Sequence, residues 1–86
     1  MALYKIVLAK QVRKKDLPKI PKPYVKKIVA VIGSLSENPR PVGSLKLTNR
    51  DEYRIRVGLY RILYTIEEEI RIVEVTNVKH RGAVYR

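Results

Sequence analysis

The stretch that most constrains this chain is a pair of β-prone runs separated by two residues. Tyr53-Arg-Ile-Arg-Val57 is followed by Gly58-Leu59 and then by Tyr60-Arg-Ile-Leu-Tyr-Thr-Ile66. Strict alternation over the first run reads as a half-buried strand. Glycine at the first position of a two-residue loop suits a type II′ hairpin. A loop of that length fixes the register. Val57 then faces Tyr60, Arg56 faces Arg61, Ile55 faces Ile62, Arg54 faces Leu63 and Tyr53 faces Tyr64. One face of the hairpin carries Tyr53, Ile55, Val57, Tyr60, Ile62 and Tyr64, and this face needs cover. The other carries Arg54, Arg56 and Arg61.

The remaining periodicities supply that cover. Leu3–Leu8 is apolar and β-prone, which predicts a first strand. Ala9–Leu17 has helical spacing and ends at Pro18. Pro21-Lys22-Pro23 is a stiff connector, and proline suits a first helical turn. From Tyr24 to Leu35 the apolar positions fit an amphipathic helix with Lys22, Lys26 and Lys27 on its wet side. Asn38–Gly43 reads as a loop. Ile70–Thr76 is a last strand, reached through a turn at Glu67-Glu68-Glu69. The expected domain spans residues 1–86 and is α+β, in the order β-α-α-β-β-β. Two N-terminal helices pack on one face of a four-stranded, mostly antiparallel sheet.

Charge narrows the function classes. The 86 residues carry 19 Lys+Arg against 8 Asp+Glu, a formal net charge of +11. Such a field favours a polyanionic partner. Without cysteine there is no disulfide framework, thiolate metal site or cysteine nucleophile. Three consecutive carboxylates in a turn do not converge, so no metal and no cofactor is expected. No apolar run approaches the ~18 residues of a membrane span, and no signal-peptide core is visible. A soluble, cytoplasmic domain is the expectation, with no membrane partner.

Two arginines facing each other across a hairpin cost a few tenths to ~1 kcal/mol. The residues leave two readings open. The arginine face is either a solvated, charged strand surface or a set of three guanidiniums converging on an anion such as phosphate. A three-residue loop would move Arg61 to the face opposite Arg56, so the second reading depends on the register. Tyr53, Tyr60 and Tyr64 fall on the covered face and read as core.

The hairpin segment, Ile70-Arg-Ile-Val-Glu-Val75 and the closing His80-Arg81-Gly-Ala-Val-Tyr85-Arg86 together resemble the RelE/ParE toxin superfamily of type II toxin–antitoxin modules. The resemblance spans the whole chain in length, charge and element order. It implies a RelE-like toxin, a ribosome-dependent, metal-free mRNA endoribonuclease held silent by a cognate antitoxin protein. Partners would then be the antitoxin, the ribosome and mRNA. Matched onto this chain, the catalytic set falls on Arg54, Arg56, Arg61, Arg81 and Tyr85. Lys46, Arg50 and Arg86 are further phosphate-binding candidates. RelE-like enzymes often have lysine where Arg54 and Arg56 stand, and arginine effectively cannot give up its proton. His80 is the remaining candidate for proton transfer, because its unperturbed pKa lies near neutrality. Two alternatives stay open: a ParE-like inhibitor of DNA gyrase, and a non-catalytic module that binds nucleic acid or antitoxin.

Overall fold

A computed structural model describes residues 3–80. Strand β1 (Lys5–Leu8) leads into a short helical stretch built from a π turn, Val12–Asp16, and a 3-10 turn, Leu17–Lys19. Helix α1 (Lys22–Ser34) follows, with proline in its first turn, where a missing N–H costs nothing. Then come β2 (Leu45–Lys46), β3 (Tyr53–Val57), β4 (Tyr60–Glu67) and β5 (Ile72–His80). The strands form one sheet in the order β1-β5-β4-β3-β2. β1 runs parallel to β5, and every other pairing is antiparallel.

The hairpin register matches the spacing argument at all five pairs, from Val57–Tyr60 to Tyr53–Tyr64. Gly58 takes φ +60°, the positive value that the first position of a II′ loop requires. The covered face of the sheet supplies Ile55, Tyr60, Ile62, Tyr64, Val73, Val75 and Val78 to the core. The helical elements supply Val12, Ile20, Ile28 and Ile32. Each such side chain contributes roughly 1.5–3 kcal/mol on burial. Tyr64 is fully buried, and its hydroxyl donates to the Pro39 carbonyl at 2.7 Å, which ties the 38–43 loop to the core.

Three features differ from expectation. The sheet has five strands instead of four, because Leu45–Lys46 pairs with Tyr53 and Arg54 at the edge. Two residues carry no period for a pattern to show. β5 starts at Ile72 and continues past Thr76 to His80. It can do so because Thr76 is an extra residue. Leu63 pairs with Asn77 and Tyr64 with Val75, so the register shifts between them. This β-bulge returns Val78 to the core face. Finally, the first helix is wound as π and 3-10 turns, and it lies along the edge of β5 left free beyond β1. There Asp16, 8% exposed, accepts the Val78 N–H at 2.9 Å. No helix among the described residues is long and apolar enough to cross a membrane.

Candidate nucleic-acid interface

The arginines of the hairpin lie on the sheet face turned away from the core. Arg56 sits directly opposite Arg61. Arg61 in turn sits directly opposite Lys79 of β5. Three cationic side chains therefore form one row across β3, β4 and β5. Directly opposed residues have Cβ atoms about 4.5–5.5 Å apart, and like charges at that spacing destabilise a sheet. Nothing in the packing of the core asks for this row, since Val57, Tyr60, Ile62 and Val78 do the packing from the other side. Arg56, Gly58, Leu59, Tyr60 and Arg61 line an open concavity of about 250 Å³ at the hairpin end of the sheet. Its size and cationic wall suit a phosphate or a short stretch of phosphodiester.

Lys79 was not among the residues singled out from sequence. Its membership follows from the bulge, and the bulge has a trace in the sequence. Inward apolar positions run 73, 75 and then 78, a slip of one residue in a period of two. Lys79 also lies 3.5 Å from Asp16, which steadies its ammonium at the edge of the row.

A second row lies two residues along the strands. Leu45 pairs with Arg54, Arg54 with Leu63, and Leu63 with Asn77. Beyond Asn77 stands Gln11 of the first helix, whose Nε2 donates to Asn77 Oδ1 at 2.8 Å. Asn77 Nδ2 turns to the Thr76 hydroxyl, and that hydroxyl donates to Glu52 Oε2 at 2.9 Å. Glu52 closes the line on Arg50 at 2.7 Å.

The other candidates are placed as follows. Arg54 shares the exposed face with Arg56 and Arg61, one step along the sheet. His80 pairs with Tyr60 and packs edge-on against its ring, with centroids 5.2 Å apart, on the helix-covered side. Its side chain starts from the opposite face of the sheet to the row, and it lines a concavity together with Asp16, Tyr60 and Lys79. Lys46 is opposite Tyr53, also on that covered side, and Arg50 is engaged by Glu52 in the β2–β3 connection. Arg81, Tyr85 and Arg86 lie outside the described residues.

The chain as a whole has relatives among known proteins. The model of the ParE toxin of the type II toxin–antitoxin system parDE matches residues 6–85. Toxin RelG of Mycobacterium tuberculosis is 35% identical over 75 residues, covering 85% of this chain and 86% of that protein. Among solved structures, the RelBE2 toxin–antitoxin complex of M. tuberculosis contains a chain of TM-score 0.81 at 29% identity. The match covers 92% of this chain and 99% of that one. The archaeal RelE–RelB complex of Pyrococcus horikoshii gives 0.79 at 28% identity, covering 98% and 100%.

Proposed function

Because the chain belongs to the RelE/ParE superfamily of type II toxins, we propose that this toxin is a ribosome-dependent mRNA endoribonuclease that arrests translation. The observation that carries the proposal is the Arg56–Arg61–Lys79 row, three cationic side chains set side by side on the sheet face that the core does not use. The reaction needs no group from outside the RNA beyond proton carriers. The 2′-oxygen attacks the adjacent phosphorus, the O2′–P bond forms, and the bond from phosphorus to the 5′-oxygen breaks. The 2′-hydroxyl proton goes to solvent, and the departing 5′-oxygen takes one back. The products are a 2′,3′-cyclic phosphate and a 5′-hydroxyl.

The protein's part is orientation and charge. Guanidiniums fixed on a rigid sheet hold the phosphate in line and stabilise the charge growing on its oxygens. Arg61 occupies the centre of the row, flanked on both sides, and takes the scissile phosphate. Arg56 and Lys79 hold the flanking backbone, and Arg81 and Tyr85 complete the set by analogy with the family. Since His80 faces Tyr60, proton transfer is not assigned to it. The partner that silences the toxin is a cognate antitoxin, as in the complexes of the related M. tuberculosis and P. horikoshii toxins.

One observation favours a second reading. The matching family model is that of the ParE toxin, and inhibition of gyrase by binding would need no chemistry. Expression of wild type, Arg61→Ala and Arg81→Ala separates the two. The proposal expects growth arrest by the wild type, relief in both variants and unchanged gyrase supercoiling. Equal toxicity of all three, or loss of supercoiling activity, would overturn it.

A further inference from the structure

The second row of the exposed face has a different chemistry from the first. Leu63 is half-buried and Leu45 is 53% exposed, so an apolar floor faces solvent in the middle of a cationic surface. Arg54 lies between these two leucines. At the far end the carboxamides of Gln11 and Asn77 are joined at 2.8 Å. Each amide has two donor hydrogens and an oxygen with two lone pairs. The bond between them uses one donor of Gln11 and one lone pair of Asn77, and the longer bond to Thr76 uses one donor of Asn77. The Gln11 oxygen, its second N–H, the second N–H of Asn77 and a lone pair on Asn77 Oδ1 remain available. Asn77 is also the residue that the bulge at Thr76 re-aims, and bulges concentrate where a side chain must be turned to a task.

The spacing fits a nucleotide. Two residues along a strand span about 6.6–6.8 Å, the scale on which a phosphate and its own base are separated. Single-stranded RNA is read by stacking a splayed-out base on an aromatic ring or a guanidinium plane and hydrogen-bonding its edge, and Arg54 is the guanidinium of this floor, with a leucine on either side. Asparagine and glutamine amides are the side chains that make paired donor–acceptor contacts to base edges.

We infer that the Leu63–Arg54 floor and the Gln11–Asn77 amide pair form a base-reading subsite that gives the toxin a nucleotide preference next to the phosphate clamp. The inference rests on the ribonuclease reading above. Its probe is ribosome-bound mRNA carrying one randomised codon, with 5′-hydroxyl ends mapped for wild type, Gln11→Ala and Asn77→Ala. A paired amide contact discriminates by about 1–3 kcal/mol, which corresponds to about 5- to 150-fold between bases. The wild type is expected to show a preference of that order at one position. Both variants should level it while cleaving the least favoured base as well as the wild type does. Gln11 is exposed, so its variant keeps the test valid if Asn77→Ala unfolds. Cleavage by the variants with the preference intact overturns the subsite and leaves the ribonuclease reading standing. So does an equal loss at every base. Absence of cleavage by the wild type overturns both.

Discussion

At the scale of single residues, two contacts carry consequences that differ in kind. Asp16 is a carboxylate buried against the free edge of β5, where it satisfies the Val78 N–H and meets Lys79. Asp16→Ala leaves a buried donor unpaired at a cost of about 1–3 kcal/mol. For a domain of this size, the melting temperature should fall by about 4–8 °C per kcal/mol. Asp16→Asn keeps an acceptor and should recover most of the loss, as thermal melts of the three proteins would show. The other contact is electrostatic and lies at the opposite end of the sheet. The Tyr4 hydroxyl donates to Glu68 at 2.6 Å, and Arg40 pairs with the second oxygen while its guanidinium lies over Tyr53. The bond from Tyr4, then the pairing with Arg40, holds the Glu68 carboxyl below its ordinary value of 4.5. The same bond to Glu68, then burial, holds the Tyr4 phenol above 10.0. A lowered acid stabilises the fold above its unfolded-state pKa, and that support is lost as pH falls through the folded value. A raised phenol stabilises below its unfolded-state pKa, and that support is lost as pH rises through the folded value. The full contribution therefore spans about pH 4.5 to 10. Glu68→Gln should flatten the acid side of a plot of melting temperature against pH. The flattening should shrink in high salt, because the ion pair is half-exposed. An unchanged acid slope would contradict the assignment.

At the scale of elements, the cationic row and the stability of the hairpin pull in opposite directions. Arg56→Thr removes one of two opposed like charges and installs a residue with high β propensity. The fold should gain a few tenths to ~1 kcal/mol while mRNA cleavage falls. A variant that is both less stable and fully active would contradict the functional reading of the row. This hairpin was legible from residues 53–66 because three signals agree there: alternation, Gly58 and a two-residue gap. Helix α1 was legible for a similar reason, with apolar spacing and proline at its start agreeing. The edge strand Leu45–Lys46 was not, since it owes its conformation to pairing with β3 and not to any pattern of its own. The third member of the row was hidden behind the bulge. Lys79 joins Arg61 only because Thr76 is extra, and a period-two reading that stops at Thr76 ends β5 before Lys79 is reached. The amide pair was invisible for a simpler reason. Gln11 and Asn77 are 66 residues apart, and only the seating of the first helix against β5 brings them together.

At the scale of the whole molecule, two groups stand out among the 19 basic residues. Lys10, Lys14 and Lys15 line a separate shallow depression with Gln11 on the first helix, and they attract polyanions without selecting among them. Arg54, Arg56, Arg61 and Lys79 occupy the exposed face of the sheet in fixed register. A surface of this kind is electrostatically complementary to an acidic covering segment. On the function proposed above, the register of the hairpin builds a clamp for a scissile phosphate. Its most direct measurement is cleavage of ribosome-bound mRNA in a purified system, with the new ends characterised chemically. The expected result is 5′-hydroxyl and 2′,3′-cyclic phosphate ends for the wild type, and a fall of about 10²- to 10³-fold for a folded Arg61→Ala protein. Intact mRNA with the wild type, or cleavage by a folded Arg61→Ala protein at the wild-type rate, would contradict it.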